Sequence, residues 1–413
     1  MESIKISKKL WNRDFSLLII GQIISIFGNM VISFALPLYI LDISESPALY
    51  GMAMGVPYIS LLLITPIGGI MADRLKKQRI MFWLDAVTTA IILLYMVASG
   101  FAIAAIPLAI VKLLALNAIQ GMYIPAVQAA VPALVPSDKL PAGNAATGIV
   151  NSLSGMAGMA IAGFLYARFG LFPILLASAV CFAITAGMDL LIRIPYKKQP
   201  PAGNVVELVK RDLSQAARFT FKENPILAKI SVIVFMCVFL LAAMLMVGLP
   251  VLITRHLNMD ESMVGLNQSI VMVGGIIGSI IAGALGERLT IRKIPLIVLI
   301  AGLPLIPMGL IFLIDVPTVV IYIVITITGA LTLCTTQLFN VTAITYVQRV
   351  TSSELIGKVM SMLMMIPFIA NAVGAVLFGL LFEWFEALPW IVILGTAALS
   401  VFVAVLSRRL LRK

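Results

Sequence analysis

The sequence holds one histidine, His256, and three cysteines, Cys181, Cys237 and Cys334. Each cysteine falls inside an apolar run, and none stands at metal-ligand spacing. A zinc centre, a disulfide framework or a Ser-His-Asp triad therefore has almost nothing to be built from; structural packing is the expected role of the thiols. No Gly-rich phosphate loop is present, so ATP is not the expected energy source. No enzyme, metal or cofactor is expected. Charge is scarce as well. Only 11% of the 413 residues are charged, against about a quarter in ordinary soluble chains. With 61% hydrophobic residues, the first reading is a membrane protein. The net charge of +11 is not read as nucleic-acid binding, because no soluble basic domain carries it.

What the chain does have is apolar runs long enough to cross a bilayer, for which about twenty residues suffice. Cutting at charges and turn residues predicts twelve: Phe15–Ile40, Ala48–Met71, Ile80–Gly100, Ile103–Ala130, Ala142–Ala167, Leu171–Ile194, Ile226–Ile253, Met263–Leu285, Ile294–Ile314, Pro317–Val347, Leu355–Phe382 and Pro389–Leu406. They lack the alternation of barrel strands, and helices satisfy their backbone hydrogen bonds within each span. The first run is too long, and too polar at Asn29, for a cleaved signal peptide. An all-α polytopic membrane protein follows.

The cations set an expected orientation. With twelve spans both termini share a side, and 26 of the 29 Lys and Arg fall on that side. Arg168 and Arg255 fall on the other, and Lys112 lies within a span. This bias predicts a multi-pass protein of the cell inner membrane with both termini in the cytoplasm, and anionic lipid headgroups as a contact.

The chain also repeats itself. Asp73-Arg74 matches Glu287-Arg288 at an offset of 287 − 73 = 214, and Gly51 matches Gly265 at the same offset. "ALPLYI" at Ala35 matches "GLPVLI" at Gly248, and "VPSDKL" at Val135 matches "VTSSEL" at Val350. Gly158 and Gly163 match Gly374 and Gly379. Six spans were duplicated, and an even number per copy gives parallel repeats. The expected partition is a six-helix bundle over 1–194, a linker over 195–225 and a second bundle over 226–413. In the linker Val205, Leu208, Val209, Leu213, Ala216, Ala217 and Phe221 recur at helical spacing. Lys210, Arg211, Arg218 and Lys222 occupy other faces, which predicts an amphipathic helix near the headgroups.

"GGIMADRLKKQRI", from Gly68 to Ile80, is a dense cationic knot after the second span. Two parallel six-span halves with such a knot resemble the major facilitator superfamily, over nearly the whole chain. The family's loop carries a glycine, three residues, Asp-Arg and then basic residues. Gly69, Asp73, Arg74, Lys76, Lys77 and Arg79 fit, with Lys76 standing where the family has a glycine. The resemblance implies a major facilitator fold and a cytoplasmic gate drawn from Gly69, Asp73, Arg74, Asp85, Glu287, Arg288 and Lys358, with Lys358 as the expected partner of Asp73. "NRDFSLLIIGQIISIFGNMVISFALPLYI", "PAVQAAVPALVPSDKLPAGNA" and "TSSELIGKVMSM" are similar to the branch holding macrolide-efflux proteins and the enterobactin exporter. Two family motifs are incomplete. Arg-x-x-Gln-Gly reads Asn117-Ala-Ile-Gln120-Gly121 here, without the cation, and Gly-Pro-x-x-Gly-Gly reads "GMAIAG" from Gly158.

Transporters of this build bind substrate near the midplane between the halves. Polar side chains at helical spacing point to the faces involved: Gln22, Ser25, Asn29 and Ser33 in span one; Asn117 and Gln120 in span four; Asn151 in span five; Thr332, Thr336 and Asn340 in span ten. The competing account is that such groups merely join helices. The repeat maps the span-one stripe onto Phe235, Val238, Ala242 and Met246 in span seven, so one half offers amides and hydroxyls and the other apolar surface. "VMSMLMMIPF" at Val359 adds flexible thioethers. Lys112 is expected to snorkel to the interface, and Asp189 to pair with Arg193 one turn later. The expected function is efflux of lipophilic or amphipathic, macrolide-like drugs by alternating access, as a monomer, with protons as a coupling ion to be tested. A lysophospholipid or siderophore transporter, and a non-transport sensor or scaffold, are the competing readings.

Overall fold

In a computed structural model describing residues 10–99, 105–136, 139–195, 205–285, 289–351 and 355–411, the apolar runs are helices. Twelve are long and apolar enough to cross a membrane: Arg13–Ser44, Pro47–Ala72, Lys77–Ala98, Ala105–Leu134, Ala146–Phe169, Leu171–Leu191, Pro225–His256, Glu261–Leu285, Ile291–Leu313, Thr318–Val347, Lys358–Trp384 and Pro389–Leu410. These are spans one to twelve. No strand occurs among the described residues. Large apolar side chains such as Leu94 and Trp384 are exposed, at 69% and 70%, as a lipid-facing surface requires.

Local chemistry sets the helix ends. Asn12 accepts from the Phe15 amide at 2.9 Å and opens span one. Ser46 caps span two by accepting from the Leu49 amide at 3.2 Å, with Pro47 in the first turn, where its missing N–H costs nothing. The connections turn through left-handed backbone at Glu45, Gly170 and Asn258.

The chain divides into two compact units, one of Met1–Ile40 with Ile59–Leu208 and one of Leu41–Tyr58 with Val209–Lys413. In the first, Gly68 of span two sits against the backbone of Gly121 and Met122 in span four. In the second, Gly274 and Gly278 of span eight sit against the backbone at Ala330 and Cys334 in span ten, and a Cβ on Gly51 would meet Gly379 Cα at 2.9 Å. Small residues let helix backbones approach where lipid supplies no hydrophobic driving force. Asn267 adds a buried bond across the same pair of spans, its amide donating to Thr326 Oγ1 at 2.8 Å.

The duplication is visible in these contacts. Gly158 of span five packs on Met30 of span one, and Gly374 of span eleven packs on Ala243 of span seven. The offsets are 374 − 158 = 216 and 243 − 30 = 213, the same spacing that relates the repeated motifs.

Along the chain between spans six and seven, Val205–Arg218 forms the amphipathic helix, followed by a π turn over Phe219–Glu223. Ala216 is fully buried, in a cluster with Leu227, Val347 and Val359. From Val209 onward the linker helix belongs to the second unit, docked there on spans seven, ten and eleven.

Candidate functional site

In the first unit the span-one stripe splits. Gln22 and Ser25 are buried, at 6% and 2% exposure, whereas Asn29 and Ser33 are half-buried. Asn117 and Gln120 are half-buried and Asn151 is exposed. The amides of Asn117 and Asn151 donate to carbonyls one turn back, Leu113 at 3.0 Å and Thr147 at 2.9 Å. Such back-bonding satisfies donors while leaving the amide oxygen available.

Lys112 does not reach an interface. It is 3% exposed, and its Nζ lies 4.2 Å from the centroid of the Tyr95 ring, with no hydrogen-bond partner. Span four continues for two further turns before its start at Ala105, and the ring of span three captures the ammonium through its face.

Asp189 likewise departs from expectation. The sixth span ends at Leu191 and Ile192 is extended, with ψ 134°. An i, i+4 pair needs continuous helix, so Arg193 is carried away. Arg193 is exposed, and its amide donates to Asp14 Oδ1 at 3.0 Å. Asp189 stays buried at 2% exposure.

In the second unit, Thr332 and Thr336 are buried, and the Thr336 hydroxyl donates to the Thr332 carbonyl at 2.7 Å. Asn340 is exposed and donates to Gln337 Oε1 at 3.2 Å. In span seven Phe235 stacks on Phe239, with centroids 5.8 Å apart. Val238 begins a π-helical stretch, Val238–Ala242. The wider turn offsets the residues beyond it from an ideal helical stripe, a shift that residue spacing alone does not reveal. Beyond it, the sulfur of Met246 accepts from the Tyr58 hydroxyl at 3.9 Å, and Tyr58 lies 6.0 Å from the Phe368 ring. Nothing in the residue pattern marks Tyr58 or Phe368, which by type are ordinary span residues.

A cavity of about 460 Å³, counted to its open mouth, lies among spans seven, ten and eleven of this unit. Ser231, Val234, Asn340, Met360, Met364 and Pro367 are among its walls, and none of its lining residues carries a charge. Two members of the methionine-rich stretch of span eleven, Met360 and Met364, therefore border open space, and Met360 also packs on the Ala216 cluster.

Over residues 18–246 and 231–413 the chain matches the Major Facilitator Superfamily. The chain belongs to that family. It is a transporter rather than an enzyme. Among solved structures it is similar to the nucleoside transporter NupG, at 14% identity over 97% of this chain and 100% of that one, with a TM-score of 0.73. It is also similar to a bacterial homologue of the iron transporter ferroportin in its inward-facing state (18% identity, 96% and 98% covered, TM-score 0.71). A bacterial homologue of the human lysosomal transporter Spinster, inward-facing and unoccupied, is comparable (13%, 98% and 95%, 0.70). At these identities the likeness establishes the fold alone. Comparison with curated proteins gives no match.

The knot expected of a major facilitator lies at the end of span two. Gly69 has open space where a Cβ would stand; its neighbour Gly68 makes the close helix contact instead. Two adjacent glycines were the available signal, and only the packing distinguishes them. Arg74 is half-buried. The Asp73 side chain, and Glu287 and Arg288 entirely, fall outside the described residues. Lys358 pairs with Asp212 Oδ1 at 2.7 Å and donates to Gln215 Oε1 at 2.7 Å. Asp85 is buried at 1% exposure and hydrogen-bonded to Thr185.

Proposed function

We propose that this transporter exports lipophilic or amphipathic molecules of macrolide-like character by alternating access between its two six-helix halves, with both termini in the cytoplasm. The cavity of the second unit carries the reading: its walls are aliphatic and thioether surface broken by one amide, Asn340, and one hydroxyl, Ser231. Such a surface rewards apolar area and a few hydrogen bonds, and methionine adapts to varied shapes. A polar nutrient would call for a charged anchor, which these walls lack. The resemblance of the first span, the fourth-to-fifth loop and the entry to span eleven to the macrolide-efflux branch supports the same class, and the Lys/Arg bias supports the orientation. Transporters of this fold carry chemically unrelated cargo, so the fold leaves the choice to the cavity.

The test is expression in a drug-sensitive cell lacking its own efflux pumps. Tolerance to erythromycin and to other bulky lipophilic compounds should rise. Unchanged tolerance across such a panel, with the protein shown to be in the membrane, overturns the reading.

A further inference from the structure

Two carboxylates are buried together in the first unit. Asp85 lies in the first turns of span three and Asp189 in the last turn of span six, and these two spans pack on one another. Exposure is 1% and 2%. Oδ2 of each has no hydrogen-bond partner. The Asp85 charge acts on Asp189, and both carboxylates act on Tyr123 of span four, which shares a hydrogen bond with Ser25 of span one. Thr185, one turn before Asp189, is hydrogen-bonded to Asp85.

No cation is among the groups that act on either carboxylate. Arg193 lies past the helix end and is exposed, and Lys112 is held over the Tyr95 ring. The hydroxyls that meet the carboxylates, Thr185 on Asp85 and Tyr123 of span four within reach of both charges, are neutral. Two unscreened negative charges side by side in a bilayer-spanning bundle would each bear the desolvation cost and also repel. Burial and a neighbouring like charge both favour a neutral, protonated carboxyl here. The cluster is arranged for that state. The Thr185 hydroxyl donates to the Phe182 carbonyl at 3.0 Å, and a hydroxyl has only one hydrogen. With that hydrogen so placed, Thr185 Oγ accepts from a protonated Asp85. When Asp85 is charged, the same hydrogen can turn towards it.

We propose that Asp85 and Asp189 form a buried proton-binding pair, and that the proton they exchange is the coupling ion of transport. The step is proton transfer alone: a hydronium ion gives its proton to a carboxylate oxygen, one O–H bond forms, and water leaves. A metal ion fits less well, because no group of three His, Cys, Asp or Glu side chains is assembled among the described residues. The proposal depends on the chain being a transporter of its family, and only its second test below depends on the drug-efflux reading.

The first test needs no substrate. Infrared spectra of the purified full-length protein in lipid nanodiscs are recorded from acid to alkaline pH. A carboxylic-acid band should be present at neutral pH, titrate away as pH rises, move to a lower midpoint in Asp85→Asn and in Asp189→Asn, and vanish in the double variant. No such band in the wild type, or a band untouched in the double variant, overturns the pair. Replacing choline by sodium at fixed pH should leave the band in place; its loss makes the site a sodium site and overturns the proton assignment. The second test uses vesicles and labelled erythromycin. The ratio of pH-driven accumulation to exchange at equal pH should fall by about tenfold or more in either variant, and an unchanged ratio overturns coupling through these residues. If the wild type carries no erythromycin, the drug reading fails, while the infrared result still decides the site.

Discussion

Lys358 Nζ stands 2.7 Å from Asp212 Oδ1, so the first turn of span eleven is fastened to the linker helix. The residue expected to serve Asp73 thus ties the connector to the second unit. The same junction is packed as well as paired, because Ala216 is buried in the same cluster as Val359.

That ion pair should contribute little to stability. Its side chains are 33% and 38% exposed, and solvent screens such pairs to about 0.2–1 kcal/mol. A double-mutant cycle on Asp212→Asn and Lys358→Gln, read by thermal unfolding, should return a coupling in that range. A larger value would mean that the pair is shielded in the bilayer interface.

Gly278 should tolerate no side chain. A Cβ there collides with the Cys334 carbonyl, so Gly278→Val must push spans eight and ten apart. A loss of about 1–3 kcal/mol is expected, seen as a lower thermal midpoint. Gly283, with nothing within 4 Å of its would-be Cβ, is the control: Gly283→Ala should be neutral or slightly stabilising.

Lys112 separates charge from packing. Lys112→Met keeps most of the volume against Tyr95 and removes a buried nitrogen that lacks a hydrogen-bond partner. Its midpoint should equal or exceed that of the wild type, whereas Lys112→Ala should lose about 2–4 kcal/mol through the cavity it leaves. Equal losses in both would show that the ammonium itself stabilises the bundle.

Asn340 and Asn29 should act on cargo rather than on folding. Asn340 is exposed beside the cavity and Asn29 is half-buried. Alanine at either should leave the thermal midpoint nearly unchanged while altering relative resistance across a drug panel, through the loss of one hydrogen bond worth about 0.5–1.5 kcal/mol. Uniform loss of resistance to every compound would instead mark a general defect.

Much of the fold was legible because membrane helices announce themselves. Twelve runs can be cut from the chain at charges and turns, since lipid tolerates neither an unpaired charge nor an unsatisfied backbone. The duplication was legible too, because motifs such as Asp73-Arg74 and Gly158 kept their spacing. Identity also pointed to polar candidates such as Asn29 and Asn340, but not to their surroundings. Nothing in the residue pattern says that Val238 opens a π turn or that Tyr58 reaches Met246. Nor does it say that Gly68 rather than Gly69 touches the neighbouring helix.

The sequence by itself determined the spans, their number and their repetition, for these follow from apolar length and local turn chemistry. Only the tertiary structure decided the partners of the rare charges. It took Arg193 away from Asp189 by ending a helix two residues early, turned Lys358 to Asp212, and enclosed Asp85 with Asp189. The physical reason is that pairing depends on which helix faces another and where each one stops, and small differences in packing and helix ends settle that.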